Sequence, residues 1–160
     1  MRDTIHDLGA ALGRIPSGLY ILTAGHDGQS TGMLASWVQQ AGFEPLMLTV
    51  AVRRDRYIAD WIAASGKFTL NQVAAGNKTL LKHFGRGFGP EDDAFAGLVL
   101  RDADPSGPIL ADAMAYLAAE VVGSIDGGDH RVFLARAVKG ERLDPEAEPM
   151  VHVRKSGLHY

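Results

Sequence analysis

The spacing of apolar and polar positions changes several times along the chain, and each change marks an element. Ile5, Leu8 and Leu12 recur at helical spacing, which predicts a short amphipathic helix over residues 4–12, a lid or packing helix stopped by Gly13. Residues 15–24 have strand composition after Pro16, and Gly25-His26-Asp27-Gly28 supplies turn chemistry for a first hairpin. Residues 46–52, Leu-Met-Leu-Thr-Val-Ala-Val, form a continuous apolar run that suits a strand covered on both faces. Asp55 is placed to cap a helix over residues 56–64 that ends near Ser65-Gly66. Residues 67–73 alternate like a strand, and Leu80, Leu81 and Phe84 form the apolar stripe of a helix over residues 77–84. Residues 109–114 predict one helical turn. Two strands, 116–125 and 131–138, then flank the turn Asp126-Gly127-Gly128-Asp129-His130, and residues 149–160 read as a last strand and an ordered tail.

Six or seven strands, mostly joined by hairpins, with helices inserted between the third and fifth, predict a mainly β fold: an antiparallel barrel with helical excursions. A doubly wound parallel sheet fits worse, because the second half of the chain has hairpins where crossover helices would be required. The length of 160 residues suits one domain over 1–160.

One stretch stands out from this scaffold. Residues 29–45 are too polar at Ser36, Gln39 and Gln40, and too rich in small residues around Gly32, for a strand whose only task is packing. A glycine beside small residues lets a ligand approach the backbone, and the hydroxyl and amide groups offer directional hydrogen bonds. Arg53, Arg54 and Arg56 follow the next strand and cluster just before a predicted helix N-terminus, an arrangement that suits a phosphate as well as a solvated charge run.

Composition narrows the chemistry. A net charge of −3 leaves no electrostatic footprint for nucleic acid, and the absence of cysteine excludes disulfides, thiolate metal sites and cysteine nucleophiles. Redox chemistry would therefore need a bound cofactor. No apolar run reaches the length needed to cross a bilayer, and the first residues lack the apolar core of a signal peptide, so the expected location is cytoplasmic. The six histidines show no zincin spacing, and no Gly-x-Ser-x-Gly elbow occurs. Gly85-Arg86-Gly87-Phe88-Gly89 superficially matches a dinucleotide fingerprint, but Pro90 and three acids replace the required helix, so a surface loop or flap is expected. What survives is a site of backbone groups, small polar side chains and arginines, which suits a phosphorylated cofactor.

Residues 13–24, then Gly32-Met33-Leu34-Ala35-Ser36-Trp37-Val38-Gln39-Gln40, then Leu81-Lys82-His83-Phe84-Gly85, carry a resemblance to a known family. Gly128-Asp129-His130 and residues 151–160 continue it. The chain resembles the flavin reductase-like proteins of the FMN-binding split barrel fold, most of all the C-terminal flavin reductase domain of cyanobacterial diflavin flavodiiron proteins. The domain here is expected to stand alone, since Met1 leaves no room for the diiron and flavodoxin-like parts.

The resemblance implies that Met33, Leu34, Ala35 and Ser36 line FMN, with Gln39 and Gln40 nearby, and that Arg53, Arg54 and Arg56 contact its phosphate. Asn71 would border the flavin. His130 would face the nicotinamide or the reacting face of the flavin, and Tyr160 would close the same pocket. Leu34 and the run Trp37-Val38-Gln39-Gln40 depart from many stand-alone reductases, which carry threonine and a serine-rich run there; at Leu34 any hydrogen bond must come from the backbone.

The implied function is an NAD(P)H-dependent flavin oxidoreductase using FMN, or FAD as the alternative flavin, with NADH or NADPH as donor and a second acceptor. A homodimer and an electron-acceptor protein are the implied partners. The competing expectation is a non-enzymatic FMN-binding module that passes electrons between proteins. A third is a split barrel holding haem or pyridoxal phosphate.

Overall fold

The computed structural model describes residues 4–160. In chain order these form α1 (Thr4–Leu12), β1 (Ser17–Gly18), β2 (Tyr20–His26), β3 (Gln29–Ala35), β4 (Val38–Phe43), β5 (Leu46–Arg53), α2 (Tyr57–Ser65), β6 (Lys67–Gln72), α3 (Lys78–Gly85), β7 (Leu100–Asp102), β8 (Ile109–Leu110), β9 (Ala115–Gly127), β10 (His130–Arg142) and β11 (Val151–His152). Seven strands make one antiparallel sheet in the order β3-β2-β6-β9-β10-β5-β4. Its two edge strands, β3 and β4, are consecutive in sequence and joined by Ser36 and Trp37. The sheet therefore curls round on itself with a seam between β3 and β4, which is the split barrel expected from the hairpin pattern.

Two apolar clusters pack against opposite faces of this sheet. The barrel interior holds Leu22, Ala24, Ala35, Leu48, Val50, Val52, Phe68, Leu70, Phe133 and Ala135, and α2 contributes Ile58, Ala59 and Ile62 to it. On the outside, Leu19, Ile21 and Val73 pack with Leu80 and Phe84 of α3, Phe95 and Leu110. This explains β2, whose residues Ile21 to Ala24 are all buried: alternate side chains enter different cores. Gly32 lies opposite Thr23 in the ladder, and a Cβ there would meet the Phe84 ring at 2.9 Å, so the glycine allows α3 to pack directly on β3.

Four local expectations are corrected. The β5 run alternates instead of being buried on both faces: Leu48, Val50 and Val52 enter the barrel, Met47, Thr49 and Ala51 are half-buried, and Leu46 is exposed. Asp55 does not cap α2, because its carboxylate accepts a 2.8 Å bond from Arg53; Arg56 occupies the cap position with no side-chain cap bond. Residues 109–114 start as strand β8, paired with β7, because the Leu110 N–H is held by the Asn71 side chain. In α1 the face carrying Ile5, Leu8 and Leu12 is exposed, and the helix instead buries Gly9, against which Leu158 packs.

The helix over α3 starts as expected, with Asn77 accepting from Leu80 N. The tail is also ordered: β11 pairs with β1, and Gly157 N donates to Gly9 O of α1. Among the described residues no helix is long and apolar enough to cross a membrane.

Candidate functional site

The long β9–β10 hairpin turns through Gly128 and Asp129, with Gly128 in the left-handed region (φ 76° at Gly28, 71° here) that a two-residue turn requires. This turn places His130 as the first residue of β10, directly opposite Arg53, the last residue of β5. The register is fixed by seven antiparallel pairs and by Arg54 N donating to Asp129 O at 2.9 Å. The histidine and the arginine cluster are thus brought together at the end of the barrel from which α2 departs.

His130 is only 7% exposed. Its Nδ1 lies 2.7 Å from Asp129 Oδ1, and its Nε2 lies 2.8 Å from the Tyr160 hydroxyl. The bond with His130 holds the exposed Asp129 carboxyl below the usual carboxylate range. In the neutral imidazole, Nδ1–H then donates to Asp129, and Nε2 accepts from the phenol. The Trp37 ring lies tilted against the imidazole at 4.6 Å and against the Tyr160 ring at 5.5 Å, and the Arg154 guanidinium lies over the indole at 5.1 Å. Burial raises the Tyr160 pKa, the nearby Asp129 charge adds to this, and Arg53, Arg154 and Arg56 oppose it.

Beside this aromatic group lies a basic one. Arg53 pairs with Asp55, Arg54 donates to Gly128 O and pairs with Asp126 at 3.7 Å, and Arg56 makes no ion pair among the described residues. Arg53 Nε is buried and has no hydrogen-bond partner, and the N-terminus of α2 has no side-chain cap. An orphaned guanidinium N–H three residues before a helix N-terminus that lacks a side-chain cap is a donor set for an anion such as a phosphate, so the residues present fit a phosphorylated flavin. Arg53, Arg54, Asp55, Asp60, Gly128, Asp129 and Arg131 line a shallow cavity of about 500 Å³ here.

The glycine-rich loop after α3 approaches the same corner. Tyr57 donates to Phe88 O at 3.0 Å and is bonded to Thr31 of β3 at 2.7 Å, and a Cβ on Gly87 would lie 3.9 Å from Arg56 Nη1. The loop is fixed to the first turn of α2 by these contacts.

The predicted residues separate into groups. His130, Tyr160 and the three arginines converge, and Ser36, half-buried with no side-chain bond, sits next to Trp37 at the seam. Met33 and Ala35 point into the barrel, whereas Leu34 faces the outer cluster with Phe84 and Phe88, as strand alternation demands. Only backbone, Leu34 and Ser36 of this stretch therefore face outward. Gln39 and Gln40 are elsewhere: they line an apolar cavity of about 570 Å³ at the opposite barrel mouth, with Tyr20, Leu46, Gln72, Tyr116 and Leu117. That cavity carries no charged side chain, whereas the shallower one carries three arginines and three aspartates.

Asn71 is fully buried and bonded within the fold. Its Nδ2 donates to Ile21 O, Thr23 Oγ1 and Pro108 O, and its Oδ1 accepts from Leu110 N at 2.8 Å. These bonds make it a fastener of the scaffold. Sequence reasoning missed Trp37, Asp129, Arg154 and Gly87. The available signals were an aromatic residue in an otherwise polar bend and an acid immediately before a turn histidine.

Residues 12–157 match the flavin reductase like domain, so the chain belongs to the flavin reductase-like family. The diflavin flavoprotein A 1 of Synechocystis sp. is 42% identical over 155 residues, which are 96% of this chain and 27% of that protein. A diflavin flavoprotein A relative from Nostoc sp. is 43% identical over 161 residues, covering 100% of this chain and 28% of its own length. The chain thus spans about a quarter of the length of these curated relatives. Among solved structures, the NADH:FAD oxidoreductase SgcE6 of Streptomyces globisporus, in complex with NAD and FAD fragments, superposes with a TM-score of 0.79 at 25% identity, covering 92% of this chain and 86% of that one.

Proposed function

We propose that this chain binds FMN at the corner formed by the β3–β4 seam, the α2 N-terminus and the β9–β10 turn, and that a nicotinamide nucleotide reduces it there. The observation that carries this reading is the orphaned, buried Arg53 Nε three residues before the uncapped α2 N-terminus, directly across the ladder from His130. Arg53, Arg54 and Arg56 would hold the phosphate. Ser36 and the outward backbone near Leu34 would border the ring system, with Gly87 allowing close approach beside Arg56.

Bound flavin would supply the redox chemistry, accepting a hydride from the nicotinamide and passing electrons to a second acceptor. The protein's task is placement. Asp129 fixes the orientation of the imidazole, so that His130 Nε2, bonded to the Tyr160 hydroxyl in this structure, is aimed at the space beside Trp37, where a planar ring with an N–H donor would be oriented. Trp37 covers one side of the imidazole. The relatives' greater length supports delivery of electrons to a further protein unit as the second acceptor. Leu117, Ile125, Leu134 and Val138 are exposed on the β9–β10 hairpin, which supports the expected homodimer.

The test is a visible spectrum of the purified protein with FMN, before and after anaerobic addition of NADH and then NADPH. Bleaching of the bound band by either nucleotide is the expected result and names the donor. Flavin that binds without bleaching would replace the enzyme by an electron-transfer module, and no flavin binding would end the FMN reading.

A further inference from the structure

His130 is buried although its neighbours are not. The Asp129 side chain is 80% exposed and Tyr160 is 68% exposed. What covers the imidazole is Trp37 on one side and the Tyr160 phenol at Nε2. The segment that brings Tyr160 there, residues 153–160, contains no buried side chain. It is held by the Gly157 N–H to Gly9 O bond, by Leu158 on Gly9, by the backbone of Arg154 and Ser156 against Gly13, by Gly157 against Leu12, and by Arg154 over Trp37. Such an attachment, with few buried apolar contacts, opens locally at low free energy.

The same phenol occupies the acceptor that a ligand would use. With Nδ1–H committed to Asp129, Nε2 is the one acceptor of the imidazole, and it already receives the Tyr160 O–H. A flat ring bearing an N–H donor, seated beside Trp37, must take both the place and the hydrogen bond now held by Tyr160. The nicotinamide carboxamide has this chemistry.

We propose that Tyr160 sets nucleotide affinity by competing with the nicotinamide carboxamide for His130 Nε2, and that residues 153–160 form a displaceable cap over this position. The assignment of the ligand rests on the flavin reductase reading above; the existence of the cap does not.

Two measurements on the full chain separate the two. Acylation of individual histidines by diethyl pyrocarbonate, read by peptide mass spectrometry with exposed His152 as internal reference, reports access to Nε2 without any nucleotide. His130 is expected to react slowly in the natural chain and several-fold faster in Tyr160→Phe and Tyr160→Ala; equal rates would overturn the cap. Calorimetric titration with NAD+ and then NADP+, in which no electron moves, reports the competition. Removing the hydroxyl in Tyr160→Phe is expected to tighten binding about two- to tenfold, the span of one net hydrogen bond. Weaker binding would overturn the competition and make Tyr160 a wall of the pocket. If neither nucleotide binds any of the proteins while the acylation difference persists, the cap stands and the flavin reductase reading falls.

Discussion

Replacing Asn71 with alanine tests how the scaffold and the site divide their residues. Asn71 is the penultimate residue of β6, fully buried, and ties three segments together: β2 through Ile21 O, the 103–108 turn through Pro108 O, and β8 through Leu110 N. Its Nδ2 contacts are long, 3.2 to 3.4 Å, and Pro108 O keeps a 2.8 Å bond from Thr23 Oγ1 when they are lost. The damage therefore falls on one group, the Leu110 N–H, whose 2.8 Å acceptor disappears in a buried setting. An orphaned buried donor costs about 1–3 kcal/mol, and the unfilled space left by the amide adds to that, so a loss of about 2–4 kcal/mol is expected.

Urea denaturation followed by far-ultraviolet circular dichroism measures this, with the transition midpoint falling and its slope unchanged. For a chain of this size the melting temperature should fall by roughly 5–12 °C. FMN affinity, measured well below the melting transition, should stay close to that of the natural chain. A stability loss under about 1 kcal/mol together with a clear loss of FMN binding would refute the reasoning and return Asn71 to the flavin.

Three further outcomes are expected. Neutralising Arg53 and Arg54 together should weaken FMN at least about tenfold, as expected for charge-assisted hydrogen bonds, while riboflavin is nearly unaffected; equal losses in a fluorescence titration would remove the phosphate role. Replacing His130 with alanine should slow reduction by the nicotinamide while FMN remains bound, and an unchanged stopped-flow rate would take it out of the mechanism. Asp104, pushed up by burial but drawn further down by bonds from Ser106 and Lys139, has its folded pKa below the ordinary value of 3.8. A depressed folded pKa stabilises above the unfolded pKa and loses that contribution as pH falls through the folded one, so Lys139→Ala should destabilise the protein at neutral pH and progressively less below pH 3.8.

The legible part of the fold was whatever a local pattern decides. Turn residues at Gly25–Gly28 and Gly127–Gly128, and the helical stripe of Leu80 and Phe84, determined the hairpins and α3 because each acts within a few residues of itself. Where distant partners decide, the pattern misled. The apolar run of β5 does not reveal that one face stays half open, and the Asp55 carboxylate, a reasonable cap by position, is captured by Arg53 two residues earlier. The exposed stripe of α1 follows the same logic, since its packing contact is a glycine that only the distant Leu158 explains.

At the site, the arginines were visible as a charge cluster, and His130 stood at a recognisable turn. The Tyr160 bond to His130, between residues 30 apart in sequence, and the Trp37 contact arise from the seam and the tail path, which no periodicity encodes. Strand alternation within Met33-Leu34-Ala35 was readable, yet a lining role for all of them ignored that neighbours on a strand face opposite ways.

The seam between β3 and β4 has an optical consequence. The chain has two tryptophans. Trp37 lies in the seam against His130 and Tyr160, while Trp61 sits in α2 against His26 and Tyr57. One indole therefore marks the place where the barrel wall is discontinuous, and the other marks the helix that packs into its interior. Changes in Trp37 emission will follow events at the seam and the tail, with Trp61 as an internal reference, so that loosening of the wall and melting of the core can be distinguished in one recording without an added label.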